Sequence, residues 1–173
     1  MSKPKGFSLI ELLVVIAIIG LLSTMAVVSL NNARVKARDT RRMGDIKAIQ
    51  TAIEMYKTQQ ATDVVPTNAS WANFGSALAS YMTALPSDPN NTGVYAYVYC
   101  TSQTLDNRYL IGAVLEQNMD IQGDLDTKPT LGGIPVCVSS GAAATTYANI
   151  TCADSNGGNL TGASQTAFCL GQS

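Results

Sequence analysis

Glu11 is the only ionisable side chain between Phe7 and Leu30, in a run that is otherwise almost entirely apolar. A run of this length can cross a hydrocarbon core of about 30 Å, because a helix rises about 1.5 Å per residue. An acid at the centre of such a span costs about 2.5–3.5 kcal/mol on insertion scales. Since an unpaired carboxylate in apolar surroundings is costly, the chemistry expected of Glu11 is pairing with a positive charge.

Four cysteines supply a second chemistry, and all of them follow the apolar run: Cys100, Cys137, Cys152 and Cys169. An even number of cysteines beyond a membrane segment is typical of two disulfides in an oxidising compartment. Pairing of sequence neighbours, Cys100 with Cys137 and Cys152 with Cys169, closes the shorter loops and is the preferred connectivity, with the other two left open. A zinc site is the alternative, but the chain has no His and no CxxC pair.

A third candidate is the acidic stretch "NMDIQGDLD", in which Asp120, Asp124 and Asp126 surround a glycine. Calcium takes several oxygen ligands from a flexible loop, so these carboxylates could hold a calcium ion. The spacing differs from that of an EF-hand loop, and a solvated acidic turn is the alternative. No other cofactor is expected.

No catalytic constellation is found, and the sequence indicates a protein that is not an enzyme. The absence of His removes the commonest general base, and no glycine-rich phosphate loop is followed by Lys and Ser or Thr. Charge is divided along the chain, with nine Lys or Arg against four acids up to Lys57 (net +5) and two against eight beyond it (net −6). An acidic second half disfavours general nucleic-acid binding.

The elements that position these groups begin with a leader, residues 1–6, whose Lys3 and Lys5 favour a cytoplasmic N-terminus. The apolar segment 7–30 predicts a membrane-spanning helix. Without a proline before Val65, that helix is expected to continue through 31–59 as an amphipathic segment, since apolar residues recur at steps of three and four: Met43, Ile46, Ile49, Ile53 and Tyr56. The basic stretch "RVKARDTRR" is interpreted as a solvated face, compatible with attraction to anionic headgroups.

Residues 60–173 are expected to form a globular head outside the cytoplasm. Ser70 could cap a short helix through "WANFGSALASYMTAL". The stretches "VYAYVYC" and "RYLIGAVLE" alternate with a period of two and predict strands, with a third near "IPVCV" and others around Tyr147 and Phe168. The fold class is therefore α+β, a long helix packed on a small antiparallel sheet with a disulfide-bonded C-terminal region.

The stretch "KGFSLIELLVVIAIIGLL" resembles the class III signal of type IV pilins and pseudopilins. This resemblance implies cleavage by a prepilin peptidase between Gly6 and Phe7, and N-methylation of the new Phe7 terminus. Glu11 matches the acidic residue that pilins carry near their mature start. Val28 stands where many bacterial pilins have proline. The element "LPSDP" followed by "YAYVY" is also similar to major pseudopilins, with Asn90 where those often have tryptophan.

The resemblance further implies a structural subunit of an extracellular helical filament. Its partners would be the prepilin peptidase, an assembly ATPase with its membrane platform, and copies of itself, whose Phe7 amine would pair with Glu11 of the next subunit. The precursor would be a single-pass protein of the cytoplasmic membrane, and the product a pilus at the cell surface. The alternative is a monomeric, signal-anchored cell-surface binding module with an uncleaved N-terminus.

Overall fold

The structure, a computed structural model, describes the following parts of the chain: 6–60, 64–66, 70–92, 95–101, 108–117, 136–141 and 167–171. The chain forms two compact units, Met1–Ala37 and Arg38–Ser173. The second unit, referred to here as the head, contains every described element except the first part of the long helix.

The long helix α1 spans Leu9–Gln59, 51 residues, as predicted. It has no proline, and its two glycines, Gly20 and Gly44, have open space where a side chain would lie. Within the head, the predicted apolar face of α1 is confirmed: Ile46, Ile49 and Ile53 are fully buried. Met43 and Tyr56 pack against the same core while remaining partly exposed.

The short helix α2 spans Trp71–Leu78, and Ser70 is its N-cap, as predicted. The Ser70 hydroxyl accepts a hydrogen bond from the backbone N–H of Asn73 at 3.2 Å, which satisfies one donor of the first turn. The helix ends well before the end of the stretch expected to be helical. Its buried residues, Phe74 and Leu78, face the core.

Within the described residues, the sheet has four antiparallel strands in the order β3-β1-β2-β4, which confirms the α+β class. Their bounds are Val98–Thr101 for β1, Tyr109–Val114 for β2, Val136–Ser139 for β3 and Ala167–Gly171 for β4. The first strand begins at Val98, four residues later than the alternation suggested. The region around Tyr147 lies outside the described residues.

Aromatic side chains fill the space between the helices and the sheet. Phe74 stacks on Tyr99 with ring centroids 4.1 Å apart, and Trp71 lies against Phe74 at 5.4 Å. The buried Tyr99 hydroxyl donates to the carbonyl oxygen of Pro66 at 2.7 Å, so its polar atom has a partner. At the edge of the sheet, a side chain at Gly171 would collide with the carbonyl oxygen of Tyr109. This close approach of β4 to β2 therefore requires glycine.

Candidate functional site

The beginning of α1 carries the carboxylate that the sequence singled out. Ser8 precedes the first helical residue, and its carbonyl oxygen accepts from the N–H of Leu12 at 3.3 Å. The backbone N–H of Ser8 donates to Oε2 of Glu11 at 2.8 Å. A Ser before the helix whose N–H is bound by a Glu three residues later matches half of the reciprocal bonding of a capping box.

The capping contact explains how Glu11 is held within its own chain. A carboxylate in the first turn is favoured by the positive end of the helix dipole and satisfies a backbone donor that the helix leaves free. An ionised carboxylate has two oxygens and can accept further donors. Glu11 can therefore keep its bond to Ser8 and still receive a cation. The spacing Ser-x-x-Glu was visible in the sequence, but its capping role was overlooked.

The expected cleavage position lies immediately before this cap. Gly6 and Phe7 are exposed and precede the helix, and Phe7 is 87% exposed. A peptide bond ahead of a regular helix needs no unfolding of that helix to enter a protease site. The rest of the leader, with Lys3 and Lys5, lies outside the described residues.

Among the described residues, none packs over the apolar part of α1. From Leu9 to Leu30, the side chains are exposed on every side of the helix. The hydroxyls of Ser23 and Thr24 donate back to the carbonyls of Ile19 (2.7 Å) and Leu21 (2.8 Å), so these polar groups are satisfied within the helix. By length and composition, α1 is able to cross a membrane. Lipid or other apolar helices are the surroundings that this segment requires.

A buried charge cluster in the head was not foreseen. The interpretation of "RVKARDTRR" as a solvated face is wrong for Arg42 and Asp39, whose side chains have no exposed surface. Arg42 donates to Asp39 at 2.7 Å, to both oxygens of Asp88 at 2.5 and 3.0 Å, and to Glu116 at 2.7 Å. Arg38 forms a bidentate pair with Glu116. Burial of a charge is tolerated when it is paired and hydrogen-bonded in this way.

The pairing changes the proton affinities of the cluster. Hydrogen bonds from Arg38 lower the pKa of Glu116 to about 2, with Arg42 contributing in the same direction against the effect of burial. Burial acts to raise the pKa of Asp88, but the hydrogen bonds from Arg42 and from the backbone N–H groups of Asn90 and Asn91 outweigh it, and the pKa is lowered. Both carboxylates, Asp88 and Glu116, are therefore held in their ionised forms near neutral pH.

One disulfide joins Cys100 to Cys137, the pair preferred from the sequence. The two residues face each other in the register between β1 and β3, and both are buried. Cys169 in β4 is also disulfide-bonded. Cys152 lies outside the described residues, and the second pairing stays a prediction.

The candidate calcium ligands Asp120, Asp124 and Asp126 lie outside the described residues. Within the described parts of the chain, no group of three or more His, Cys, Asp or Glu side chains is arranged to hold a metal ion. The structure therefore brings together Gly6, Phe7 and Glu11 at the start of α1, and Cys100 with Cys137 in the sheet.

Comparison with known proteins finds a family motif at the N-terminus and relatives that align over longer parts of the chain. The family described as the prokaryotic N-terminal methylation motif matches residues 1–27. The type IV major alpha-pilin of Moraxella bovis is 31% identical over 150 residues, which cover 85% of this chain and 92% of that protein. The type II secretion system core protein G of Vibrio cholerae is 33% identical over 100 residues, 51% of this chain and 67% of that protein. No solved structure gives a significant match.

Proposed function

The chain belongs to the type IV pilin and pseudopilin family, whose members are structural subunits of filaments and not enzymes. We propose that it is made as a precursor, cleaved by a prepilin peptidase, anchored in the membrane and then assembled into a filament. The observation that carries the proposal is the start of α1, where an exposed Gly6–Phe7 bond precedes a capped helix whose first part is apolar except for Glu11.

Processing removes residues 1–6 by cleavage between Gly6 and Phe7 and methylates the new amine of Phe7. The match to the methylation motif over residues 1–27 supports a prepilin peptidase as the enzyme. The exposure of both residues ahead of the helix supports access to this bond.

Before assembly, segment 7–30, which includes the first part of α1, anchors the precursor in the cytoplasmic membrane. Segment 31–59 continues the helix, and residues 60–173 form the extracytoplasmic head. Two observations support this orientation: the positive leader, which favours a cytoplasmic N-terminus, and the Cys100–Cys137 disulfide, which is typical of an oxidising compartment.

Assembly places the methylated amine of Phe7 in one subunit against the carboxylate of Glu11 in the next. An unpaired amine and an unpaired carboxylate are each costly in an apolar bundle, so pairing them relieves both and sets the axial offset between subunits. The same contact repeated from subunit to subunit is heterologous and open, as a filament requires. An assembly ATPase and a membrane platform would lift the subunit out of the membrane.

The N-terminus of the mature chain tests this proposal against the rival, a monomeric anchored binding module. Edman sequencing or mass spectrometry of the chain purified from membranes and from sheared filaments is expected to read Phe7 first, one methyl group heavier than phenylalanine. A chain that begins at Met1 or Ser2 in both fractions would support the anchored module. Substitution of Gly6 by a bulky residue is expected to leave the leader in place and to remove the chain from filaments.

A further inference from the structure

Two distant parts of the head are attached to α1 through one buried charge cluster. We call this cluster, formed by Asp39, Arg42, Asp88 and Glu116, the Arg42 latch. Arg42, Asp39 and Asp88 are buried, and Glu116 is nearly so, with 13% of its side chain exposed. Asp88 lies in the segment between α2 and β1, and Glu116 lies just beyond β2. Among the described residues, Arg42 is the only buried arginine.

Each buried acid of the latch joins Arg42 to the backbone of one segment. Asp88 Oδ1 accepts from the backbone N–H groups of Asn90 at 2.8 Å and Asn91 at 3.2 Å. Asp39 accepts from the backbone N–H groups of Glu116 and Gln117, both at 3.0 Å. The carboxylates therefore fix segments 88–91 and 116–117 to the helix, and Arg42 neutralises the charge that this requires.

Two other polar contacts of α1, with Tyr97 and with Tyr109 of β2, can persist when their carboxylates are protonated. The hydroxyl of Tyr97 donates to Asp45 at 2.7 Å, and the hydroxyl of Tyr109 donates to Glu54 at 2.7 Å. A protonated carboxyl group keeps an acceptor oxygen, so a tyrosine can still donate to it. The buried faces of Ile46, Ile49 and Ile53 are likewise independent of pH.

The contacts of Arg42 respond differently to acid. A guanidinium has only donors and remains charged, so protonation of its carboxylate partners leaves a buried cation without a counter-charge. We propose that the Arg42 latch opens in acid, releasing segments 88–91 and 116–117 from α1 while the remaining core of the head stays folded. Hydration of Arg42 through the opened segments is what favours release over a closed, uncompensated cluster.

The groups that face Arg42 set the pH range of release. Asp39 faces it from its own helix, Asp88 and Glu116 from the two segments, and the ring of Tyr95 lies 4.8 Å from its guanidinium carbon. Arg38 contacts the far side of Glu116. The pKa values of Asp88 and Glu116 are lowered in the folded head, so their stabilisation is complete above the unfolded values and is lost as pH falls. Release is therefore expected between about pH 4 and about pH 2.

Release would change the surface of the head without unfolding it. Segment 116–117 leads directly into the acidic stretch that contains Asp120, and segment 88–91 carries two exposed asparagines. A filament subunit with this latch would present different segments to its surroundings in acid and at neutral pH.

Amide hydrogen exchange of the full chain in detergent micelles, measured across the range from about pH 6 to about pH 2 and normalised to exchange of unfolded peptides, tests the proposal. The amides of Asn90, Asn91, Glu116 and Gln117 are expected to lose at least about tenfold protection by about pH 3. The single tryptophan, Trp71, packs on Phe74 in the core, and its fluorescence is expected to stay unchanged at that pH.

Two variants sharpen the test. Asp88→Asn removes one latch charge and is expected to reduce protection of Asn90 and Asn91 at neutral pH. Asp45→Asn is the matched control, because an asparagine oxygen can still accept from Tyr97, and it is expected to leave the midpoint of release unchanged. The proposal is overturned if the four amides and Trp71 change in one coincident transition, if the amides stay protected at about pH 2, or if Asp45→Asn shifts the midpoint as far as Asp88→Asn does.

Discussion

Substitution of Glu11 separates the two roles that the structure and the proposed assembly give to this carboxylate. Within one chain, Glu11 accepts from the Ser8 N–H; between chains, its charge would pair with the Phe7 amine. Glu11→Gln keeps an acceptor for the Ser8 N–H, since glutamine also serves in a capping box, but it removes the charge. Glu11→Val removes both.

The loss of the capping bond and the loss of the charge pair are expected to weaken subunit association by clearly different amounts. The capping bond is exposed, and its loss costs about 1 kcal/mol. If the uncapped start of the helix has to become ordered again when subunits associate, this cost lowers the association constant roughly fivefold. Leaving one member of a buried charge pair alone costs about 3–5 kcal/mol, or roughly 10²- to 10⁴-fold per subunit contact. If charge pairing drives assembly, Gln and Val both fall in the second range; if capping suffices, Gln behaves as the wild type does.

The assay expresses each variant as the sole subunit and compares sheared filaments with the membrane fraction. Both variants are expected to insert, to lose the leader at Gly6, and to form the Cys100–Cys137 disulfide on non-reducing gels, yet to be nearly absent from filaments. Asp45→Asn, which removes a carboxylate of the head paired with exposed Arg41 and keeps an acceptor for Tyr97, is the charge-matched control and should assemble normally. Wild-type filament yield from Glu11→Gln would refute the pairing role and leave capping as the function of Glu11.

Four further predictions concern the head and its ions. Arg42→Met is expected to lower the free energy of unfolding in urea by about 3–5 kcal/mol because it leaves buried acids unpaired, whereas Arg41→Met, at an exposed pair with Asp45, should change it by less than about 0.5 kcal/mol. Cys100→Ser removes a bridge that closes a separation of 37 residues and should cost about 3–4 kcal/mol in the same assay; an unchanged midpoint in reductant would contradict this. Gly171→Ala should lower the midpoint of thermal unfolding, because the added methyl group displaces β4 from the carbonyl oxygen of Tyr109. An unaltered melting curve would show that β4 can shift without loss of stability. If the acidic stretch binds calcium, the ion should raise the melting temperature of the wild type and not that of Asp124→Asn; equal curves with and without calcium would leave a solvated turn.

Local patterns predicted the elements whose structure depends on neighbouring residues. The apolar run and the absence of proline predicted α1, the spacing of three isoleucines predicted its buried face, and Ser70 predicted the start of α2. Alternation located β1 and β2, although it placed the start of β1 too early because period-two patterning does not show where pairing with β2 begins.

Contacts between distant residues could not be predicted in the same way. Arg42 stands in a run of charges that resembles any solvated helix face, and its partners Asp88 and Glu116 lie 46 and 74 residues away in the sequence. Helix periodicity places Arg42, four residues before Ile46, on the buried face of α1, and places Arg41, which is exposed, off that face. The spacing could therefore have indicated that Arg42 is buried, but only the fold, by bringing two segments onto α1, shows that Asp88 and Glu116 pair with it.

The strand order has a consequence for the timing of folding. β4 pairs with β2, although β3 lies between them in the sequence and occupies the opposite edge of the sheet. The strands β3, β1 and β2 can therefore associate, and oxidation can join Cys100 to Cys137, before β4 pairs with β2. Completion of the sheet then depends on the pairing of β4 with β2, a non-local contact that forms slowly in comparison with local contacts. If the disulfide forms in that interval, three strands of the sheet are already joined covalently while the backbone edge of β2 is still open to pairing with a strand of another chain.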